Sequence, residues 1–111
     1  LEIYGDGDQT RDFVYVNDNI RLTLKAFLND KADGRPMNIG SGKSIRIIDL
    51  ADEIKKIFPA ANIMFKSARR KGEIRYRTPD IGFMKKILKD KPKIKLSDGL
   101  VRTLAYFEKR Q

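Results

Sequence analysis

With 111 residues, of which 41% are hydrophobic and 35% charged, the chain has the length and make-up of one soluble globular domain, and no apolar run approaches the roughly 20 residues that a membrane helix needs. It contains no cysteine and no histidine, which excludes disulfides, thiolate metal sites, the commonest zinc ligand and the Ser-His-Asp or Cys-His nucleophilic centres, and makes reducing cytoplasm the natural location. The formal charge of +9 is uneven: residues 1–65 hold 9 Lys/Arg against 10 Asp/Glu, a net −1, and residues 66–111 hold 15 against 5, a net +10, which suits either a phosphate-bearing partner or a set of solvated lysine-rich helix faces.

In chain order, "LEIY" and "DFVYV" flank the turn "GDGDQ" with β-branched and aromatic residues, and this predicts a hairpin of two short strands. From Asp18 to about Asn29, Ile20, Leu24, Phe27 and Leu28 recur at helical spacing behind Asp18, a suitable N-cap. "DKADGRP" breaks that helix. "MNIG" reads as a strand ending in the turn "GSGKS", and "SIRI" leads into a second helix that buries Leu50, Ile54, Ile57 and Phe58 and stops before Pro59. "NIMFK" is a third strand region. Asp80 caps a short helix carrying Ile81, Met84, Ile87 and Leu88, the lysine-rich "KDKPKIK" follows, and Ser97 caps a last helix with Leu100, Val101, Leu104 and Phe107. The expected fold is a small mixed α/β domain with short strands and about four helices.

Two stretches carry chemistry. "GSGKS" lacks the four-residue spacing of a Walker A loop, so it reads as a strand-to-helix turn whose glycines supply positive φ and whose amides can at most approach an anion. From Lys66 to Arg77, the six cations Lys66, Arg69, Arg70, Lys71, Arg75 and Arg77 surround one acid, Glu73. The bland reading is a solvated basic loop. The functional one is anion capture, because guanidinium groups grip phosphate oxygens in pairs and Gly72 lets the backbone bend around a ligand.

Taken together and in order, "GDGDQTRDFVYVND", "MNIGSGKSIRIIDLADEI", "RRKGEIRYRTPDIGFMKKIL" and "KPKIKLSDGLVRTLAYF" closely resemble the C-terminal part of NAD-dependent nucleotide-sugar epimerases and dehydratases, the extended short-chain dehydrogenase/reductase family, and within it the UDP-glucose 4-epimerase branch most of all. The resemblance spans essentially the whole chain, 1–111. It implies that Arg11, in the family's Arg-Asp-aromatic motif, contacts the nucleotide diphosphate, that Arg70 grips the same diphosphate, and that Glu73 binds the nucleoside ribose. It also implies NAD as the cofactor of the whole enzyme, a UDP-sugar as ligand and homodimeric whole members.

The family's glycine-rich cofactor turn and its Tyr-x-x-x-Lys pair are absent: none of Tyr4, Tyr15, Tyr76 and Tyr106 is followed by lysine at the fourth position. The chain opens on Leu1, as a fragment or processed chain would. The expectation is therefore a substrate-binding end cut away from its N-terminal dinucleotide-binding half, with no catalytic residue, no metal ligand, no bound NAD and no activity alone. Its rivals are the same part of a nucleotide-sugar 4,6-dehydratase or another sugar epimerase and, from a different class, a basic nucleic-acid-binding module. Specific nucleic-acid binding is not expected, because only Tyr76 interleaves the basic loop for base stacking.

Overall fold

A computed structural model describes residues 1–67, 72 and 74–109. In chain order these form β1 (Glu2–Tyr4), β2 (Thr10–Asp12), α1 (Val16–Phe27), a 3-10 turn (Asp30–Ala32), β3 (Ser44–Arg46), α2 (Ile47–Ile57), β4 (Met64–Lys66), α3 (Gly82–Leu88) and α4 (Leu96–Glu108). The mixed α/β class with four helices is as expected. The chain divides into two compact units, Leu1–Arg11 with Ser44–Thr78, and Asp12–Lys43 with Pro79–Gln111. Among the described residues no helix is long and apolar enough to cross a membrane.

In the first unit β1 runs parallel to β4, with Glu2 opposite Met64, Ile3 opposite Phe65 and Tyr4 opposite Lys66, and β2 lies in a second two-stranded sheet with β3. The hairpin predicted from "LEIY" and "DFVYV" is therefore wrong. The stretch from Gly5 to Gln9 does not fold β1 back on β2; carbonyls of Gly7 and Gln9 receive the start of α2. The Ile48 N–H donates to Gly7 O at 3.0 Å and the Ile47 N–H to Gln9 O at 2.9 Å, which satisfies helix-terminal donors that have no partner inside the helix. Gly7 is required there. Its φ is +78°, and a Cβ would stand 3.0 Å from Ile48 Cβ. Within α2, Ala51 is the fully buried residue, Leu50, Ile54 and Ile57 are half-buried, and Phe58, predicted inward, is exposed.

The second unit holds the larger core. Leu22, Ile81, Met84 and Leu88 are buried together, with Ala26, Met37, Ile39 and Ile87 packed against them, so the face predicted for α3 is the one that is covered. The cap predicted at Asp80 falls one residue later, at Ile81, although Asp80 does accept from the Gly82 N–H at 2.7 Å. Two other caps are corrected. α1 begins at Val16 and Asp18 lies inside it, while α4 begins at Leu96 and Ser97 lies inside that helix, with Tyr15 and Lys95 at the cap positions.

The apolar stripe of α1 is also corrected. Ile20, Leu24, Phe27 and Leu28 are exposed, Phe27 to 82%, and the covered stripe is Asp18, Leu22 and Ala26 at the same four-residue spacing. A helix with two such stripes does not announce which one its neighbours cover. "DFVYV" beyond Asp12 and "MNIG" form no strand. Their pattern favours extended backbone, and a strand needs a hydrogen-bonded partner as well.

Candidate functional site

Arg11 is the second residue of β2 and half-buried. Its Nη1 donates to the carbonyl of Thr10 at 2.7 Å, so the head group is folded back on its own strand. The Thr10 N–H donates to Arg75 O at 2.8 Å, and Thr10 forms a parallel bridge with Tyr76. The chain leaving the cationic loop is thus fastened beside β2, one residue from Arg11. The chain entering that loop is fastened to β1, where the Gly5 N–H donates to Lys66 O at 2.9 Å. Gly72, inside the loop, has φ +81° and open space where a Cβ would be. Arg70 and Glu73 themselves lie outside the described residues.

Among the described residues of the loop region, Lys66 and Arg75 are tied to the fold. Lys66 Nζ sits 3.2 Å from Glu2 Oε1. Arg75 Nη2 sits 3.3 Å from Asp6 Oδ2 and 3.6 Å from Asp8 Oδ2. Asp8 is also held by Arg46 Nη1 at 3.3 Å, and Arg46 makes a two-pronged contact with Asp49 at 2.8 Å for both bonds. The acidic turn is therefore a clasp for two arginines. Sequence reading assigned Asp6 and Asp8 only to turn formation, and the alternation of acid and glycine in "GDGD" was the signal that more was at stake.

Asp12, next to Arg11 in sequence, does something different within the second unit. Its Oδ2 accepts the N–H groups of Ser41 and Gly42, both at 2.8 Å, and its Oδ1 accepts the Ser41 hydroxyl at 2.5 Å. Gly40 lies so close that a Cβ would fall 2.8 Å from Asp12 Oδ2 and 2.7 Å from Pro79 Cγ. The anion approached by the "GSG" amides is thus the protein's own carboxylate, a group with the acceptor capacity of a phosphate oxygen pair. With these amides taken up, the Gly40–Gly42 turn does not fit a dinucleotide's diphosphate. No chemical step is assigned to NAD on this chain.

The NAD dependent epimerase/dehydratase family matches residues 1–40, the stretch that carries the acidic turn, Arg11 and Asp12. The UDP-glucose 4-epimerase of Thermotoga maritima, solved with UDP-glucose, shares 34% identity at a TM-score of 0.89, covering 99% of this chain and 35% of that one. The UDP-glucuronic acid 4-epimerase of Bacillus cereus, solved with UDP-glucuronic acid and NAD, shares 34% at a TM-score of 0.88, covering 100% of this chain and 36% of that one. UDP-glucuronic acid decarboxylase 1 of Arabidopsis thaliana is 35% identical over 111 residues, 99% of this chain and 25% of that protein. In sequence and in fold the chain is similar to members of the NAD dependent epimerase/dehydratase family. Within it, the chain resembles one part of UDP-sugar epimerases and decarboxylases alike, and it spans between a quarter and about a third of the length of these relatives.

Proposed function

We propose that residues 1–111 are the C-terminal, nucleotide-sugar-binding part of an NAD-dependent UDP-sugar enzyme, of the UDP-glucose 4-epimerase kind, and that this part has no activity alone. In this reading Arg11 and Arg70 grip the diphosphate and Glu73 binds the ribose. NAD and the proton-transferring residues belong to an N-terminal half, and the whole enzyme is a cytoplasmic homodimer. The observation that supports it best is the fastening of the chain leaving the cationic loop beside Arg11, by the Thr10 N–H to Arg75 O bond, with the chain entering the loop held at Gly5. A rigid strand end beside a tethered loop suits a two-sided grip on one diphosphate.

A second reading within the family is a UDP-uronate decarboxylase, favoured by the 35% identity over the full chain to the Arabidopsis protein. The nucleotide handle would be held in the same way in either enzyme, as it would in a 4,6-dehydratase. A grip on the handle binds ground and transition states about equally, so it sets affinity and leaves the chemical step nearly untouched.

The test joins this chain to the N-terminal half of a relative and measures UDP-glucose and UDP-glucuronic acid turnover. Arg11→Ala and Arg70→Ala should each raise KM by about tenfold, equivalent to ~1.4 kcal/mol, with kcat little changed. Lys55→Ala, on the exposed side of α2, should do nothing. Unchanged KM in both arginine variants refutes the assignment.

A further inference from the structure

The lysine-rich connection after α3 has no part in the proposed nucleotide grip, yet it is the most organised cationic feature of the second unit. Lys85 and Lys89 of the α3 end, with Lys91 and Lys93 of the connection, line a recess of about 340 Å³ whose one carboxylate is that of Asp90. That carboxylate is already engaged. Its Oδ2 receives Arg21 Nη1 at 2.5 Å and Lys25 Nζ at 3.0 Å, and its Oδ1 receives the Lys91 N–H at 2.8 Å. None of the four lining ammonium groups makes an ion pair or hydrogen bond among the described residues.

The backbone beneath these lysines is fixed. Asp18, 3% exposed, accepts the N–H groups of Lys93 and Ile94 on one oxygen, both at 2.7 Å, and Arg21 Nη2 on the other at 2.8 Å. Lys89 takes the left-handed conformation, φ 50°, and turns the chain sharply from the helix into the connection. Four like charges gathered over a braced backbone repel one another, and a multivalent anion relieves that repulsion. The recess lies at the small end of ligand-site volumes and is lined by lysine side chains, stems as well as ammonium groups, so it suits a compact occupant that the ammonium groups can reach. Ammonium groups are point charges with three donors each, which matches tetrahedral phosphate oxygens without demanding a fixed orientation.

We propose that this recess is a second anion site, separate from Arg11, for a small ligand carrying two or more linked phosphates. It does not depend on the proposed nucleotide-sugar function.

The experiment titrates the isotope-labelled 111-residue chain with inorganic pyrophosphate and follows backbone amide shifts. Saturable shifts centred on Lys89, Lys91, Lys93 and Ile94 are expected. A triple variant, Lys85→Ala with Lys91→Ala and Lys93→Ala, should weaken binding at least fivefold; it leaves the Asp18 and Asp90 backbone contacts in place and spares Lys89, the left-handed residue at the end of α3. A control triple, Lys31→Ala with Lys55→Ala and Lys109→Ala, removes the same three charges and should weaken binding less than twofold. Arg11→Ala should leave the recess shifts unchanged. Equal weakening by both triples would show that net charge alone attracts the anion, and would overturn the proposal. So would shifts centred on residues 10–12, or a short oligonucleotide that binds the recess more tightly than pyrophosphate through the same lysines.

Discussion

Among the described residues, the unit formed by Leu1–Arg11 and Ser44–Thr78 buries the apolar side chains of Ile3 and Ala51, whereas the unit formed by Asp12–Lys43 and Pro79–Gln111 buries Leu22, Ile81, Met84 and Leu88. Polar groups divide the same way. The first unit relies on short ladders and on the arginine clasp of Asp6 and Asp8, whose partners are 40–52% exposed. The second covers two ion-paired carboxylates, with Asp18 3% exposed and the Asp90 side chain 13% exposed. An exposed ion pair is screened by water and salt, while a buried carboxylate with several donors is costly to disturb. Arg11 therefore sits in the unit whose described residues bury fewer apolar side chains.

The sharpest way to break this comparison is Asp18→Asn. The amide keeps the size of the side chain but brings an NH2 group towards the N–H groups of Lys93 and Ile94 and leaves Arg21 without its buried partner. A loss of about 3 kcal/mol is expected in urea denaturation. A loss as small as that of an exposed pair would mean that the two units are not held differently after all.

Acid sharpens it further. The Asp90 carboxyl is held down to about 2 by the Lys25 ammonium first and then by the Lys91 N–H, with Arg21 adding its charge. Asp18 is pushed up by burial, but the Ile94 N–H, Arg21 and the Lys93 N–H outweigh this and bring it below the usual carboxylate value. Both folded values lie below the unfolded value of about 3.8, so this stabilisation is complete above roughly pH 4 and fades as the pH falls towards 2. Thermal denaturation across that window should show the midpoint falling steeply in the parent and less steeply in Asp90→Asn; identical slopes would contradict the assignment.

The smallest effect is expected from Asp6→Asn, which removes one arm of the clasp on Arg75. At 3.3 Å and with about 40% exposure on each side, the pair should contribute roughly 0.5 kcal/mol or less, and added salt should erase the difference between variant and parent. A large, salt-independent loss would move the clasp into the same class as Asp18.

Local pattern determined a good deal of this molecule. The spacing of Ile81, Met84, Ile87 and Leu88 identified the covered face of α3, because that helix carries one apolar stripe. Asp80 was legible as a helix-start residue, since the bond it makes reaches only to Gly82. The order of the motifs carried the family resemblance. Tertiary structure decided the rest. Whether Leu22 or Ile20 faces inward on α1 depends on what packs against that helix, and periodicity is the same for both stripes. The partner of β1 comes from Met64–Lys66, some 60 positions along the chain, and a strand's own alternation says nothing about which distant segment will complete its hydrogen bonds. The role of Asp12 was hidden for the same reason. A carboxylate beside an arginine reads as a local neighbour, and only the folded chain brings it to the Ser41 and Gly42 amides, some 30 residues on, whose donors must be satisfied within hydrogen-bond reach.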